Sequence, residues 1–181
     1  MKTGRGALSK GLIRALVKRG ARKTKTPLVA QKTESPREPT VCESCGAVYL
    51  RRSWRRGRKM TEASLQKAGW AICPACTQVQ RQEYYGRVIA HGEFSAVERE
   101  AIAHRIENVA RRASASQPER KLVSLTWNGP GLEVLTTSQK LAHRIVTELK
   151  KAFGGRASYA WSDRDGSLFT TWERRAVQPP S

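Results

Sequence analysis

The chain is short of acid, of cysteine and of long apolar runs, and each shortage excludes something. Its 181 residues hold 15 Asp and Glu against 34 Lys and Arg, a formal net charge of +19 with a pI near 10.7. A surface this basic suits a polyanionic partner, either nucleic acid or an anionic membrane. No run of about 18 apolar residues occurs, so no membrane-crossing helix is expected. The first residues do not read as a secretory signal, because Arg14 interrupts GLIRALV and no small-residue cleavage pattern follows. Without such a signal, the four cysteines are not expected to form a secreted disulfide framework, and a reducing, cytoplasmic setting is expected. A phosphate-cradling GxxxxGK(S/T) loop is absent too. His91, His104 and His143 stand far apart with no nucleophile motif beside them, so no enzyme is expected.

The charge that is present is unevenly spread. Residues 1–60 carry 17 Lys and Arg against Glu34, Glu38 and Glu43, while residues 61–181 carry 17 against 12 acids. Near the start, Leu8, Leu12 and Leu16 recur at helical spacing, with Ile13 and Val17 between them and Lys10, Arg14, Lys18 and Arg19 on other faces. That pattern predicts a short basic amphipathic helix that forms on contact with a partner. A frayed solubilising tail and a mitochondrial transit peptide are the competing readings. From Lys23 to Thr40, Pro, Thr, Lys and Gln dominate with little to bury, which reads as a linker. Residues 1–40 are thus expected to be a basic flexible arm, 41–82 a cysteine module, 83–175 a further domain and 176–181 a disordered tail.

Residues 83–175 carry clear patterning. Ser95 and Glu98 make a capping box, and Ile102, Ile106 and Val109 follow at helical spacing. KLVSLTW and LEVLT flank the turn NGPG and read as a hairpin. Ser138 opens a second helix carrying Leu141, Ile145 and Leu149, stopped by Gly154 and Gly155. RASYAW and SLFTTW flank DRDG as a second hairpin, with Asp163 and Asp165 as turn formers. The expected class is α+β: an α-β-β-α-β-β domain whose four-stranded, mostly antiparallel sheet carries helices on one face.

All four cysteines lie in two C-x-x-C pairs, Cys42/Cys45 and Cys73/Cys76, separated by 27 residues. Two such turns offer four thiolates to one ion, the four-cysteine pattern of a structural zinc ribbon. Gly46 supplies the positive φ that a knuckle needs, and Pro74 stiffens the second pair. A short helix over Glu62–Ala68, capped by Thr61 and stopped by Gly69, takes up the long spacing. A thioredoxin-like pair would want one such motif at a helix start, not two copies. A zinc deaminase would place H-x-E upstream of P-C-x-x-C, whereas His91-Gly92-Glu93 lies downstream. Four thiolates leave no open position for water, so a structural Zn2+ is expected.

Between the pairs lies RRSWRRGRK, with Arg51, Arg52, Arg55, Arg56, Arg58 and Lys59 around Trp54. Two readings stand: these cations neutralise a formally −2 metal–thiolate centre, or they contact phosphates while Trp54 stacks on an unpaired base. Tyr159, Trp161 and Trp172, with Arg156 and Arg164 nearby, read either as core or as a second aromatic and basic platform.

The run C-x-x-C-G-A-V-Y, the basic Trp-containing insert, W-x-x-C-P-A-C, Y-x-G-x-V, G-x-F, then L-x-V-x-T-T-x-x-L-A-x-x-I, F-G-G and a final W-x-R resemble a family of small bacterial double-CxxC zinc-ribbon proteins, over residues 41–175. More distantly, the layout resembles the N-terminal zinc-ribbon part of the archaeal and eukaryotic large-subunit ribosome export adaptor. The resemblance implies zinc and a ribosomal or other RNA partner. The adaptor's extra cysteine pairs and export signals are missing, so a transport role is not implied, and only Cys42, Cys45, Cys73 and Cys76 inherit a role. The expectation is therefore a zinc-binding, RNA-binding, ribosome-associated protein. Its alternatives are a DNA-binding zinc-ribbon regulator and a membrane-surface protein anchored by residues 1–22.

Overall fold

Two hydrophobic clusters of unequal size organise the chain. The computed structural model describes residues 35–174; the expected helix around Leu8, Leu12 and Leu16 and the expected tail lie outside the described residues. Among the described residues, no helix is long and apolar enough to cross a membrane.

The smaller cluster belongs to the cysteine module. Strands β1 (Thr40–Cys42), β2 (Val48–Leu50) and β3 (Ser53–Arg55) are followed by helix α1 (Glu62–Gln66), strand β4 (Gly69–Ala71) and helix α2 (Pro74–Gln80). The four strands lie in the order β3-β2-β1-β4. The short helix foreseen between the pairs is α1, and the Thr61 side chain caps it by accepting from the Ser64 N–H. Of the expected linker, residues 37–40 are tied into the module: the Thr40 hydroxyl donates to the Arg37 carbonyl, and Thr40 itself opens β1.

The larger cluster is built by β5 (Gly86–His91), α3 (Ala96–Ser116), β6 (Leu122–Asn128), β7 (Gly131–Thr136), α4 (Gln139–Phe153), β8 (Arg156–Trp161) and β9 (Leu168–Glu173). The expected helices and hairpins form, and Ser95 and Glu98 close their capping box. Ser138 occupies the N-cap of α4, but its side chain makes no capping bond.

The expected sheet of four strands has five, in the order β6-β7-β5-β9-β8. The added strand is β5, which pairs antiparallel with β7 and parallel with β9, so it lies at the centre. Its inward positions are Gly86, Val88 and Ala90, and two of these, Gly86 and Ala90, are residue types that strands disfavour. Pairing on both sides overrides that preference. The small side chains are needed because α4 lies close over β5: a Cβ on Gly86 would collide with the Thr136 hydroxyl and stand 2.6 Å from the Ala142 methyl.

Both helices bury a stripe at helical spacing, Ile102, Ile106, Val109, Ala110 and Ala113 from α3 and Leu141, Ala142, Ile145, Val146 and Leu149 from α4. Leu132 and Val134 of β7 and Leu168 and Trp172 of β9 meet them. Trp172 is fully enclosed, stacked on Phe94 and donating its Nε1–H to the Gly154 carbonyl at 2.9 Å. It is therefore core and not part of a surface platform.

Candidate metal centre and basic surface

Strand register brings the two cysteine pairs together. β1 and β4 run parallel with Thr40, Val41 and Cys42 opposite Gly69, Trp70 and Ala71. Cys42 thus ends β1 beside the chain that reaches Cys73 two residues after Ala71, and the Cys73 N–H donates to the Cys42 sulfur at 3.2 Å. The first pair is a knuckle: the Cys42 N–H donates to the Ala47 carbonyl, and Gly46, at φ 68°, donates its N–H to the Cys42 carbonyl, both at 2.8 Å. The second pair is not a matching knuckle turn, as the sequence suggested. Cys73 is the N-cap of α2, Pro74 stands in its first turn, and Cys76 follows on that turn. The fixed φ of Pro74 suits a helix start, where its missing N–H is no loss.

The four sulfurs form one group, all within 4.8 Å of one another. Thiolates held ~2.3 Å from a tetrahedral ion stand about 3.8 Å apart along each edge. The Cys42–Cys76 and Cys45–Cys73 sulfurs are each 3.8 Å apart. A disulfide requires about 2.05 Å, and all four cysteines are free. The residues present therefore fit a four-coordinate metal ion.

Electrostatics at the group are uneven. Burial raises the Cys73 thiol far above its ordinary value and also raises Cys45, against which Lys121 and the Ala47 N–H act. At Cys42 burial works in the same direction, but the N–H groups of Cys73, Cys45 and Ser44 outweigh it and bring the thiol down to about 6. Cys45 is the partly exposed member. It faces a cleft of about 430 Å³ shared by the module, α3 and β6, into which Arg56, Arg111, Lys121 and the opposing Glu107 also reach.

The basic insert is not one uniform patch. β2 and β3 form a hairpin in which Leu50 pairs with Ser53, leaving Arg51 and Arg52 as a two-residue turn at φ 52° and 57°. Two positive φ values define a turn that normally favours Asn-Gly. Here the Glu38 carboxylate accepts from both turn N–H groups, at 2.9 Å from Arg51 and 2.8 Å from Arg52. Those bonds, Arg52 first, hold the Glu38 carboxyl below its ordinary value.

The side chains of Arg51, Arg52, Arg55, Arg58 and Lys59 are exposed. Arg56 is exposed as well, but its guanidinium makes two bonds to the Cys45 carbonyl, at 2.8 and 3.2 Å. It therefore braces the first knuckle. Trp54 is half-buried, its ring 5.3 Å from Tyr49 and packed on the small cluster. It anchors the hairpin, and its ring is less available than the sequence suggested.

Asp163 and Asp165 lie in the β8–β9 turn. The Asp165 carboxylate accepts from the Ser167 N–H at 3.0 Å, so it acts as a turn former. Sequence reasoning missed the Glu38 clasp and the cations Arg111 and Lys121 beside Cys45. No periodicity or spacing signals either, since both depend on elements distant in sequence. No protein-family model matches the chain and no curated protein matches it, so what the site can do follows from its own atoms.

Proposed function

We propose that the protein is a non-catalytic, zinc-stabilised RNA-binding protein that works in association with the ribosome in the cytoplasm. Cys42, Cys45, Cys73 and Cys76 would hold one Zn2+, whose contribution is to tie β1 to α2 and so fix the β2–β3 hairpin. Zinc suits a closed four-thiolate site because it has no redox chemistry of its own, although iron also accepts tetrahedral sulfur. With four protein ligands there is no open position for water, which favours binding over catalysis.

The observation that carries the reading is the hairpin itself: a turn clasped by Glu38, from which Arg51, Arg52 and Arg55 project, with Arg58 and Lys59 following. Arg and Lys held on a rigid support contact phosphates with less ordering cost than the same residues on a loose loop. RNA is favoured because it offers unpaired bases. The resemblance to small bacterial double-CxxC zinc-ribbon proteins, and distantly to the large-subunit ribosome export adaptor, supports a ribosomal partner.

The test is ultraviolet crosslinking in native cells, with sequencing of the attached nucleic acid and metal analysis of the same preparation. Ribosomal RNA with one zinc per chain is the expected result. In vitro, replacing Arg55, Arg58 and Lys59 together by Ala should lower the slope of log affinity against log salt by about 2, at ~0.7 per lost phosphate contact on single strands. An unchanged slope, or enrichment of DNA instead of RNA, would overturn the reading.

A further inference from the structure

The aromatic residues near the end of the chain separate into two sets. Trp172 is sealed in the core, but Tyr159 and Trp161 are 40% and 59% exposed. Both lie on β8, the outer strand at the edge opposite β6. Register pairs Tyr159 with Thr170 and Trp161 with Leu168, both buried, so the two rings project to the side that carries the helices. α4 covers that side only in part. Its exposed His143 ring lies 5.1 Å from Tyr159, inclined by 31°.

Exposed cations lie close to the rings in sequence. Lys140 and Arg144 lie on α4 on either side of His143 in sequence, and Arg164 lies in the turn that follows Trp161; all three are exposed. None of them enters an ion pair among the described residues. Of the nearby acids, Glu148 pairs with Lys151 and Asp165 is engaged by Ser167, which leaves Asp163 in opposition.

We propose that His143, Tyr159 and Trp161 form a stacking surface for unpaired bases of single-stranded RNA, with Lys140, Arg144 and Arg164 contacting the adjoining phosphates. An exposed ring beside mobile cations stacks on any base, because every base has a π-face, and the cations hold the backbone alongside. The inference rests on the RNA-binding reading and extends it to a second surface. β6, the strand against which α2 packs, stands four strands from β8, or about 19 Å at ~4.8 Å per strand. The edge rings thus lie at the far edge of the sheet from the strand on which α2 packs.

Fluorescence anisotropy of the full chain would test this, with a labelled uridine strand of about 15 nucleotides, near the upper site size of single-strand binders, and a duplex of equal length. The double variant Tyr159→Ala/Trp161→Ala should bind the single strand about tenfold or more weakly, with an unchanged salt slope and unchanged duplex affinity. Trp161→Phe, which keeps a ring, should retain most of the affinity. Lys140→Ala/Arg144→Ala should lower the salt slope by about 1.4.

If the aromatic double variant binds within about twofold of the unaltered protein while the Arg55, Arg58 and Lys59 variant is weakened, this surface is not an RNA contact and the hairpin reading survives. Equal losses on single strand and duplex would also overturn stacking. Failure of the unaltered protein to bind RNA would overturn both readings.

Discussion

The proposed metal site predicts that treatment with a strong chelator should unfold the cysteine module and leave the β5–β9 sheet with its two helices intact. The reason is the contrast between the two clusters. The small one consists of Cys42, Ala47, Cys73, Ala75 and Cys76, with Cys45 and Trp54 at its margin, and contains no Leu, Ile or Phe. The large one encloses Ile102, Ile106, Leu132, Leu141, Ile145, Leu149, Leu168 and Trp172. At roughly 1.5–3 kcal/mol per buried large apolar side chain, the second cluster supports itself and the first does not. Structural zinc supplies about 10–16 kcal/mol in small zinc-dependent peptides. Even partial expression of that energy would dominate the module.

The amides that report on this are Cys42, bonded to the Ala47 carbonyl at 2.8 Å, Gly46, bonded to Cys42 at 2.8 Å, and Gly69, bonded to Pro39 at 2.9 Å. Hydrogen exchange with and without metal should show their protection falling by about a thousandfold or more, equivalent to about 4 kcal/mol. The amides of Tyr85, bonded to Thr136 at 3.0 Å, and Leu168, bonded to Tyr85 at 2.8 Å, should keep theirs. Complete metal loss with unchanged exchange at Cys42, Gly46 and Gly69 would refute the reasoning, as would simultaneous collapse of the sheet.

Two further predictions concern the larger cluster. Trp172→Ala should cost about 3–5 kcal/mol by opening a cavity and freeing the Gly154 carbonyl, lowering the melting temperature by roughly 10 °C on the usual scaling; Trp172→Phe should cost less, chiefly the lost bond. Glu98 is held below its ordinary value of 4.5, first by the Ser95 N–H and then by Arg174. A lowered folded-state value means that its stabilisation is complete above 4.5 and is lost as pH falls below that value through the folded-state one. Glu98→Gln should therefore melt below the unaltered protein at neutral pH, with the gap closing in acid. A gap independent of pH would show that the capping box acts through shape and not charge.

Several local features were legible in the sequence because their causes are local. The capping box at Ser95, the turn glycines, the β6–β7 and β8–β9 hairpins and the amphipathic stripes of α3 and α4 each depend on neighbours a few residues away. The paired C-x-x-C motifs, likewise, could be recognised as a group able to hold a metal from spacing alone.

What escaped was whatever depends on contacts across the chain. β5 lacks a strong strand pattern, since its inward residues must be small where α4 crosses, and only pairing with β7 and β9 makes it a strand. The Arg51–Arg52 turn lacks the residues its backbone favours and is held by Glu38, thirteen and fourteen residues earlier.

The exposure of aromatic rings was equally undecided. Trp54, Trp161 and Trp172 look alike as residues among basic neighbours, yet one anchors a hairpin, one is exposed at a sheet edge and one is enclosed by Phe94 and Phe153. The sequence by itself determined which side chains could ligate a metal, where most helices and turns fall, and that the surface is strongly basic. Only the tertiary structure decided the order of the strands, the register that sets the four sulfurs together, and which rings and cations remain exposed. The physical reason is that these last properties arise from strand pairing and packing between segments far apart in the chain, which local propensity does not encode.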